Sequence, residues 1–209
     1  MSNRVFQIGF NKCGTRTLHR FLERNGFRAM HWDRGRLAQR IYRNLTNGAP
    51  LIQGYEAFDV LTDMEYITRE FAFEAYKLFP QLADECPDAL FVLNTRDRED
   101  WLRSRFDHRQ GAYAKTWKAV LGVKDDESLA ALWRADWDRH HERVITFFAG
   151  RNLRFLRFDI ANDSPELIAR QFPWRTFDLS AYHVKGRTAR EPGRHDPEPV
   201  LEGAEDVPS

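Results

Sequence analysis

Short apolar runs separated by helix-like stretches recur along this chain of 209 residues, and this alternation constrains the fold more than any other feature. The runs at 5–8 and 90–93 are typical of strands buried on both faces of a parallel sheet. Between the runs, apolar residues recur at helical spacing, as Leu18, Phe21 and Leu22 do. Strands that alternate with helices predict an α/β fold. We therefore expect a three-layer architecture like that of P-loop NTPases, with a central parallel sheet of about four to five strands flanked by helices.

Weaker patterns complete this prediction. Further strands are expected at 27–30, 57–61 and 153–158. The first predicted helix runs from Thr15 to Asn25, and a second from Asp33 to about Asn47. A third carries Phe71, Ala75 and Leu78. At least two helical segments are expected within 113–150, and a short helix opens at Ser164 and Pro165. The stripe within 113–150 that is predicted to lie in the core comprises Leu129, Leu132, Trp133, Trp137, Val144, Phe147 and Phe148.

The last 22 residues differ in composition from the rest. The segment 188–209 contains four of the nine prolines and two basic against six acidic residues. Such a composition does not bury enough apolar surface to fold. The sequence therefore predicts one domain over 1–187 and a disordered or loosely tethered polar tail over 188–209.

Composition and charge exclude several classes of protein. Lys and Arg number 32 and Asp and Glu 31, so the net charge of +1 gives no general attraction to nucleic acid. No apolar run approaches the roughly 20 residues of a membrane span, and the N-terminus does not resemble a signal peptide. Cys13 and Cys86 form neither a disulfide framework nor a Cys-x-x-Cys pair. We expect a cytoplasmic protein without a nucleic-acid partner.

The loop after the first strand reads Gly-Phe-Asn-Lys-Cys-Gly-Thr over 9–15. Between a strand and a helix, the backbone N–H groups of such a loop and the helix dipole favour a phosphate group. The loop has the Gly-x-x-x-x-Gly spacing of a P-loop, but Thr15 and Arg16 stand where a Walker A motif has Lys and Ser or Thr. Lys12 lies inside the loop instead. The pattern predicts a phosphate-binding loop and disfavours an ordinary ATPase; a tight turn without a ligand is the alternative.

The segment from Lys12 to Thr15, followed by Leu18, resembles the Lys-Ser-Gly-Thr loop of the sulfotransferases. These enzymes take a sulfuryl group from 3′-phosphoadenosine-5′-phosphosulfate (PAPS). Cys13 replaces the usual serine, Asn11 the usual proline and Arg16 a small polar residue. The resemblance implies that PAPS is bound at its phosphosulfate end by Lys12, Cys13, Gly14, Thr15, Arg16 and Thr17. It also implies that Lys12 receives the charge that develops on the leaving phosphate.

A second motif supports the resemblance. In sulfotransferases, an arginine at the end of a central strand and a serine eight residues later hold the 3′-phosphate of the donor. Here these positions are Arg96 and Ser104, and the stretch 91–104 is similar to bacterial-type members, including Trp101. A third element of the family, Arg-Lys-Gly near the C-terminus, is matched at Lys185 and Gly186.

A hydroxyl acceptor needs a general base. The family resemblance implies a carboxylate or histidine near the end of a strand between the two motifs, which favours Asp63 first and Asp59 second. Glu65 stands where many members have proline, and Asp63 can alternatively cap a helix. His108, four residues after Ser104, and His31, after the second strand, are further candidates for the cleft.

The function implied by this resemblance is the transfer of a sulfuryl group from PAPS to a hydroxyl or amine, with adenosine 3′,5′-bisphosphate (PAP) as product and no metal. A P-loop nucleotide kinase or phosphotransferase, or a non-catalytic nucleotide-binding module, is the alternative. The acceptor stays open among sugars, lipids, phenols and small metabolites, with 110–124 and the helical region after it expected to build its pocket. Oligomeric state is open as well.

Overall fold

A five-stranded, fully parallel sheet forms the centre of the protein in a computed structural model, which describes residues 2–183. Its strands and those of a separate two-stranded hairpin are β1 (Val5–Gln7), β2 (Ala29–His31), β3 (Val60–Thr62), β4 (Glu65–Ile67), β5 (Ala72–Glu74), β6 (Leu90–Thr95) and β7 (Arg154–Asp159). The order in the sheet is β2-β3-β1-β6-β7, and β4 pairs with β5 antiparallel. The predicted parallel α/β sheet is confirmed.

Seven α-helices occur within the described residues. They are α1 (Thr15–Arg24), α2 (Arg36–Thr46), α3 (Phe79–Glu85), α4 (Arg98–Phe106), α5 (Ala112–Leu121), α6 (Asp126–Phe148) and α7 (Glu166–Ala169). Short 3₁₀ turns occupy Asp33–Gly35, Ala75–Leu78 and Leu179–Ala181. None of the helices within 2–183 has the length and apolar character that crossing a bilayer requires.

The sheet is buried on both faces, as its apolar runs predict. Adjacent residues of β1 enter different cores: Val5 packs with Leu22 of α1 on one face, and Phe6 packs with Ile41 of α2 on the other. The face of Phe6 is also covered by α3 to α6. Helices on both sides of one sheet make the three layers.

β1 lies between β3 and β6, with Phe6 opposite both Leu61 and Phe91. Parallel strands in register end at the same edge, so the loop after β1 opens between the ends of β3 and β6. In open parallel sheets this carboxyl edge is where ligands bind.

Three local predictions are wrong. The helix expected to carry Phe71, Ala75 and Leu78 begins only at Ala75, as a 3₁₀ turn that leads into α3. Phe71 lies in the β4–β5 hairpin instead, where its carbonyl oxygen accepts a hydrogen bond from the Thr68 N–H that closes the turn. Asp33 does not cap α2, which begins after Gly35; its carboxylate accepts hydrogen bonds from Tyr55 and Arg36. Leu132 is 44% exposed rather than in the core. The boundary at 187/188, the tail, Lys185 and Gly186 lie outside the described residues.

Candidate functional site

The loop after β1 is fixed by two buried amides. The side-chain oxygen of Asn94, on β6, accepts hydrogen bonds from the Gly9 N–H at 3.1 Å and from the Gln7 side-chain amide at 2.6 Å. The Asn94 amide donates to the Cys13 carbonyl oxygen at 2.8 Å. A Cβ at Gly9 would lie 2.1 Å from the Asn94 backbone oxygen, so only glycine allows this approach. The loop is therefore held rigidly against β6.

The end of the loop directs the start of α1 towards the carboxyl edge. Gly14 is the N-cap residue, with φ 74° in the left-handed region, and a Cβ there would lie 2.9 Å from Ile160. No acidic residue stands in the first turn of α1, which leaves the positive end of its dipole available for an anion. Thr15 and Thr17 are buried, and Arg16 is exposed.

Two loop residues face opposite ways. The Cys13 side chain is fully buried in the core, and burial raises the pKa of its thiol. A ligand contact from Cys13 therefore has to come from its main chain. Lys12 is half-buried, and its ammonium nitrogen lies 3.4 Å from Nδ1 of His108.

The second motif meets the first at the loop. One guanidinium nitrogen of Arg96, directly after β6, donates to the Lys12 carbonyl oxygen at 3.3 Å, and another lies 3.8 Å from Asp100. Ser104 is half-buried on α4. The structure thus brings the strand-end arginine next to the loop lysine.

Asp63 follows β3 at the same edge. Its N–H donates to the Gln7 side chain at 2.8 Å, and its side chain is 18% exposed. Oδ2 lies 3.5 Å from Nε2 of His31, whereas Oδ1 is buried and has no hydrogen-bond partner within residues 2–183. No helix starts here, so the capping interpretation is wrong. Asp59 precedes β3 at the opposite edge and pairs with Arg28, which places it away from the cleft.

Burial and the neighbouring positive charges have opposite effects on the pKa of Asp63. Burial raises the pKa of Asp63 to about 6, against the positive charges of Arg16, Lys12 and Arg109. Burial and the charge of Lys12 lower the pKa of His108 to about 3, so this ring is neutral at physiological pH. A carboxylate with a pKa near neutrality inside a cationic site is suited to accept a proton.

A buried arginine behind the loop is the feature that the sequence analysis missed. Arg105 is fully buried, donates to Asn11 at 3.1 Å and to Tyr113 at 2.8 Å, and lies 3.4 Å from Glu74. The rings around its guanidinium belong to Phe10, Trp101, Tyr113, Trp117 and Trp133.

Two departures from the sulfotransferase pattern meet in this network. Asn11 and Glu65 each stand where proline is common, and the Asn11 amide donates to Glu65 at 2.8 Å. Tyr113 donates to the same carboxylate. The replacement of both prolines by polar residues was a signal in the sequence for a contact between positions 11 and 65. It could be recognised only by knowing that these two positions are in contact. Burial and the charge of Asp63 raise the pKa of Glu65, to about 8.

Three comparisons with known proteins were informative to different degrees. A comparison with curated proteins finds no match. Among solved structures, an unliganded sugar kinase from Janibacter sp. HTCC2649 is similar, with 12% identity, a TM-score of 0.43, and coverage of 88% of this chain and 99% of that one. A likeness of this degree says nothing about the substrate. The sulfotransferase domain family matches residues 4–154, which include the loop, Asp63, Arg96 and Ser104, and the chain therefore belongs to this family.

Proposed function

We propose that this transferase moves a sulfuryl group from PAPS to a hydroxyl of a small-molecule, carbohydrate or lipid acceptor. The observation that carries the proposal is the convergence of Lys12, Arg96 and Asp63 on one edge of the sheet, around the N-terminus of α1. Two cations and a helix N-terminus suit a nucleotide with two phosphate groups. The carboxylate suits the proton of an acceptor.

The residues present fit this donor. Gly14 carries no side chain over the helix N-terminus, and the first turn of α1 has no acidic residue that would repel a phosphate. In this assignment, Lys12 and the loop N–H groups bind the phosphosulfate, while Arg96 and Ser104 bind the 3′-phosphate. Within the described part of the chain, no group of three or more His, Cys, Asp or Glu side chains has the arrangement of a metal site.

The chemistry assigns one task to each side of the cleft. Asp63 takes the proton of the acceptor hydroxyl as the acceptor oxygen bonds to sulfur, and the bond from sulfur to the 5′-phosphate oxygen breaks. Lys12 and the N-terminus of α1 stabilise the charge that appears on this phosphate oxygen. Positioning and electrostatic stabilisation account for the rate, as in phosphoryl transfer.

A thermal-shift experiment without magnesium tests the donor site. We expect PAP to stabilise the fold by about 2.7 kcal/mol at a hundredfold excess over its Kd. AMP and ATP at the same concentration should stabilise it less. Equal stabilisation by AMP would contradict the 3′-phosphate site, and a magnesium-dependent preference for ATP would favour a kinase. PAP binding without transfer from PAPS to any acceptor would indicate a non-catalytic module.

Arg96→Ala then tests the second motif. Loss of a charge-assisted contact should weaken PAP binding by about 1.5–3 kcal/mol while AMP binding changes little. Arg98→Ala is the matched control, because Arg98 is a nearby arginine whose partners are Glu99 and Asp138. Isothermal titration of both variants with both nucleotides measures the difference, and equal losses for PAP and AMP would refute the assignment.

A further inference from the structure

One oxygen of the Asp63 carboxylate lies beside an imidazole, and the other has no hydrogen-bond partner among the described residues. Oδ2 lies 3.5 Å from Nε2 of His31. Oδ1 is buried, and nothing within residues 2–183 hydrogen-bonds to it. A buried polar atom without a partner costs free energy, so such an atom indicates a group that the protein does not itself supply.

The ring of His31 is fixed at its other nitrogen. Nδ1 lies 2.9 Å from the hydroxyl of Thr62, the residue paired with His31 where β2 and β3 run side by side. Thr62 is fully buried, and His19 packs against the ring with centroids 5.4 Å apart. Two strands and a helix therefore determine the orientation of this imidazole.

The carboxylate of Asp63 determines which nitrogen of His31 carries the hydrogen. An ionised carboxylate only accepts hydrogen bonds, so the ring hydrogen belongs on Nε2, which faces Oδ2. Nδ1 is then the nitrogen that accepts from the Thr62 hydroxyl at 2.9 Å. Burial and the charge of Arg16 lower the pKa of His31 to about 4, so the ring is neutral and carries one hydrogen at physiological pH.

We propose that His31 is a positioning residue for sulfuryl transfer: anchored by Thr62, it presents Nε2–H to Oδ2 of Asp63 and fixes the orientation of the carboxylate that accepts the proton of the acceptor hydroxyl. This inference rests on the proposed role of Asp63 as base. The proton goes from the acceptor oxygen to the carboxylate of Asp63, and His31 neither gains nor loses a proton.

The same carboxylate experiences charges from several other elements. The charged and titratable groups that act on Asp63 or on His31 are Lys12, Arg16, His19, Arg20, Glu65, Arg105 and Arg109. These groups are common to all His31 variants. A difference between variants therefore isolates the contribution of the imidazole.

Carboxyl ¹³C NMR titration of Asp63, which needs neither donor nor acceptor, tests the inference. His31→Leu removes the donor to the ionised form and should raise the titration midpoint by about one unit. His31→Gln, whose amide reaches a similar position, should restore most of the difference. The carboxyl signal of Asp59, which pairs with Arg28 at the opposite edge of the sheet, is the internal control and should titrate alike in all variants. An unchanged midpoint in His31→Leu would overturn the proposal; if that variant does not fold, His31→Asn, too short to reach Asp63, replaces it.

The pH–rate profile adds a functional readout with PAPS as donor and phenol as probe acceptor, because a phenol hydroxyl ionises only near pH 10 and does not titrate with Asp63. In His31→Leu the acidic limb of the kcat profile should move to higher pH, together with the titration midpoint. The value of kcat should fall about tenfold or more, and KM for PAPS should be unchanged. A fall in kcat without movement of the limb would show a merely structural role and contradict the proposal. If the wild type transfers to no acceptor, the proposed function fails, whereas the titration still decides the contact between His31 and Asp63.

Discussion

The protonation state of one side chain, Asp63, affects the stability of the fold. Its pKa is raised to about 6 by burial, so the folded protein binds this proton more tightly than the unfolded chain does. The protonated form adds stability below about pH 4, and this contribution is lost as the pH rises through about 6. At neutral pH the ionised carboxylate therefore destabilises the fold, and a residue retained at such a cost is a candidate for catalysis.

Replacing this carboxylate should reveal both effects. We expect Asp63→Asn to increase the free energy of unfolding at pH 7.5, by up to about 3 kcal/mol, and to have no such effect below about pH 4. Turnover should fall about a hundred- to ten-thousandfold, because the amide is not basic. Urea unfolding at the two pH values and a transfer assay measure the two quantities.

Asp59→Asn is the matched control with the opposite sign. Despite its partial burial, hydrogen bonds from Arg28 lower the pKa of Asp59, so its ionised form stabilises the fold above the unfolded pKa. Its replacement should reduce stability at pH 7.5 and leave turnover unchanged. If Asp59→Asn abolished transfer and Asp63→Asn did not, the assignment of the base would be reversed.

Lys12 offers a second test at the scale of one residue. Lys12→Ala should depress turnover more than it weakens PAP binding, because its charge is needed most as the leaving phosphate develops charge. The same change should raise the pKa of His108, which the ammonium group lowers. NMR titration of His108 checks that the variant is folded and that the two side chains interact; full turnover in Lys12→Ala would refute its assigned role.

At the scale of elements, Arg105 ties the hairpin, the loop and α4 together. It is surrounded by aromatic rings and connects to Asn11 in the loop and to Glu74 on β5. Breaking such a buried network by removing one charge is costly because the remaining carboxylates stay buried. Asp63 lies two residues before this hairpin, so the network also fixes the chain that follows the carboxylate.

We expect Arg105→Ala to destabilise the fold by about 3–5 kcal/mol. Arg103→Ala, two residues away on the same helix but exposed, should change stability by less than about 0.5 kcal/mol. Chemical unfolding of the two variants measures this contrast. A small effect of Arg105→Ala would show that the hairpin is held by its apolar contacts rather than by the guanidinium.

The sequence predicted the elements that depend on contiguous patterns and missed those that depend on distant partners. The strand at Leu90 and the loop ending at Gly14 were recognisable, because burial on both faces and a glycine between strand and helix leave local signals. The hairpin was missed because Phe71 stands at helical spacing from Ala75 and Leu78, and only these last two lie in a helical turn. The buried carboxylate of Glu65 is hydrogen-bonded by Asn11 and by Tyr113, 48 residues later, and no periodicity records these contacts.

For the whole molecule, the question is how the chain beyond the described residues relates to the donor site. His183 lines the same surface groove as Arg16 and Thr17 at the start of α1. Lys185 is two residues further on, and two extended residues span at most about 7 Å. We propose, as the family resemblance implies, that Lys185 and Gly186 reach the 3′-phosphate of the donor from this position.

Two truncations test this reach and the predicted domain boundary together. A chain ending at 187 should keep its stability and PAP affinity, since 188–209 has the composition of a polar tail. A chain ending at 183 also loses Lys185 and should bind PAP about 1.5–3 kcal/mol more weakly, because a charge-assisted contact to the 3′-phosphate is gone. AMP lacks this phosphate, so its affinity should be equal for the two truncated chains. Equal PAP affinity for both would show that Arg96 and Ser104 bind the 3′-phosphate without help from the C-terminal segment.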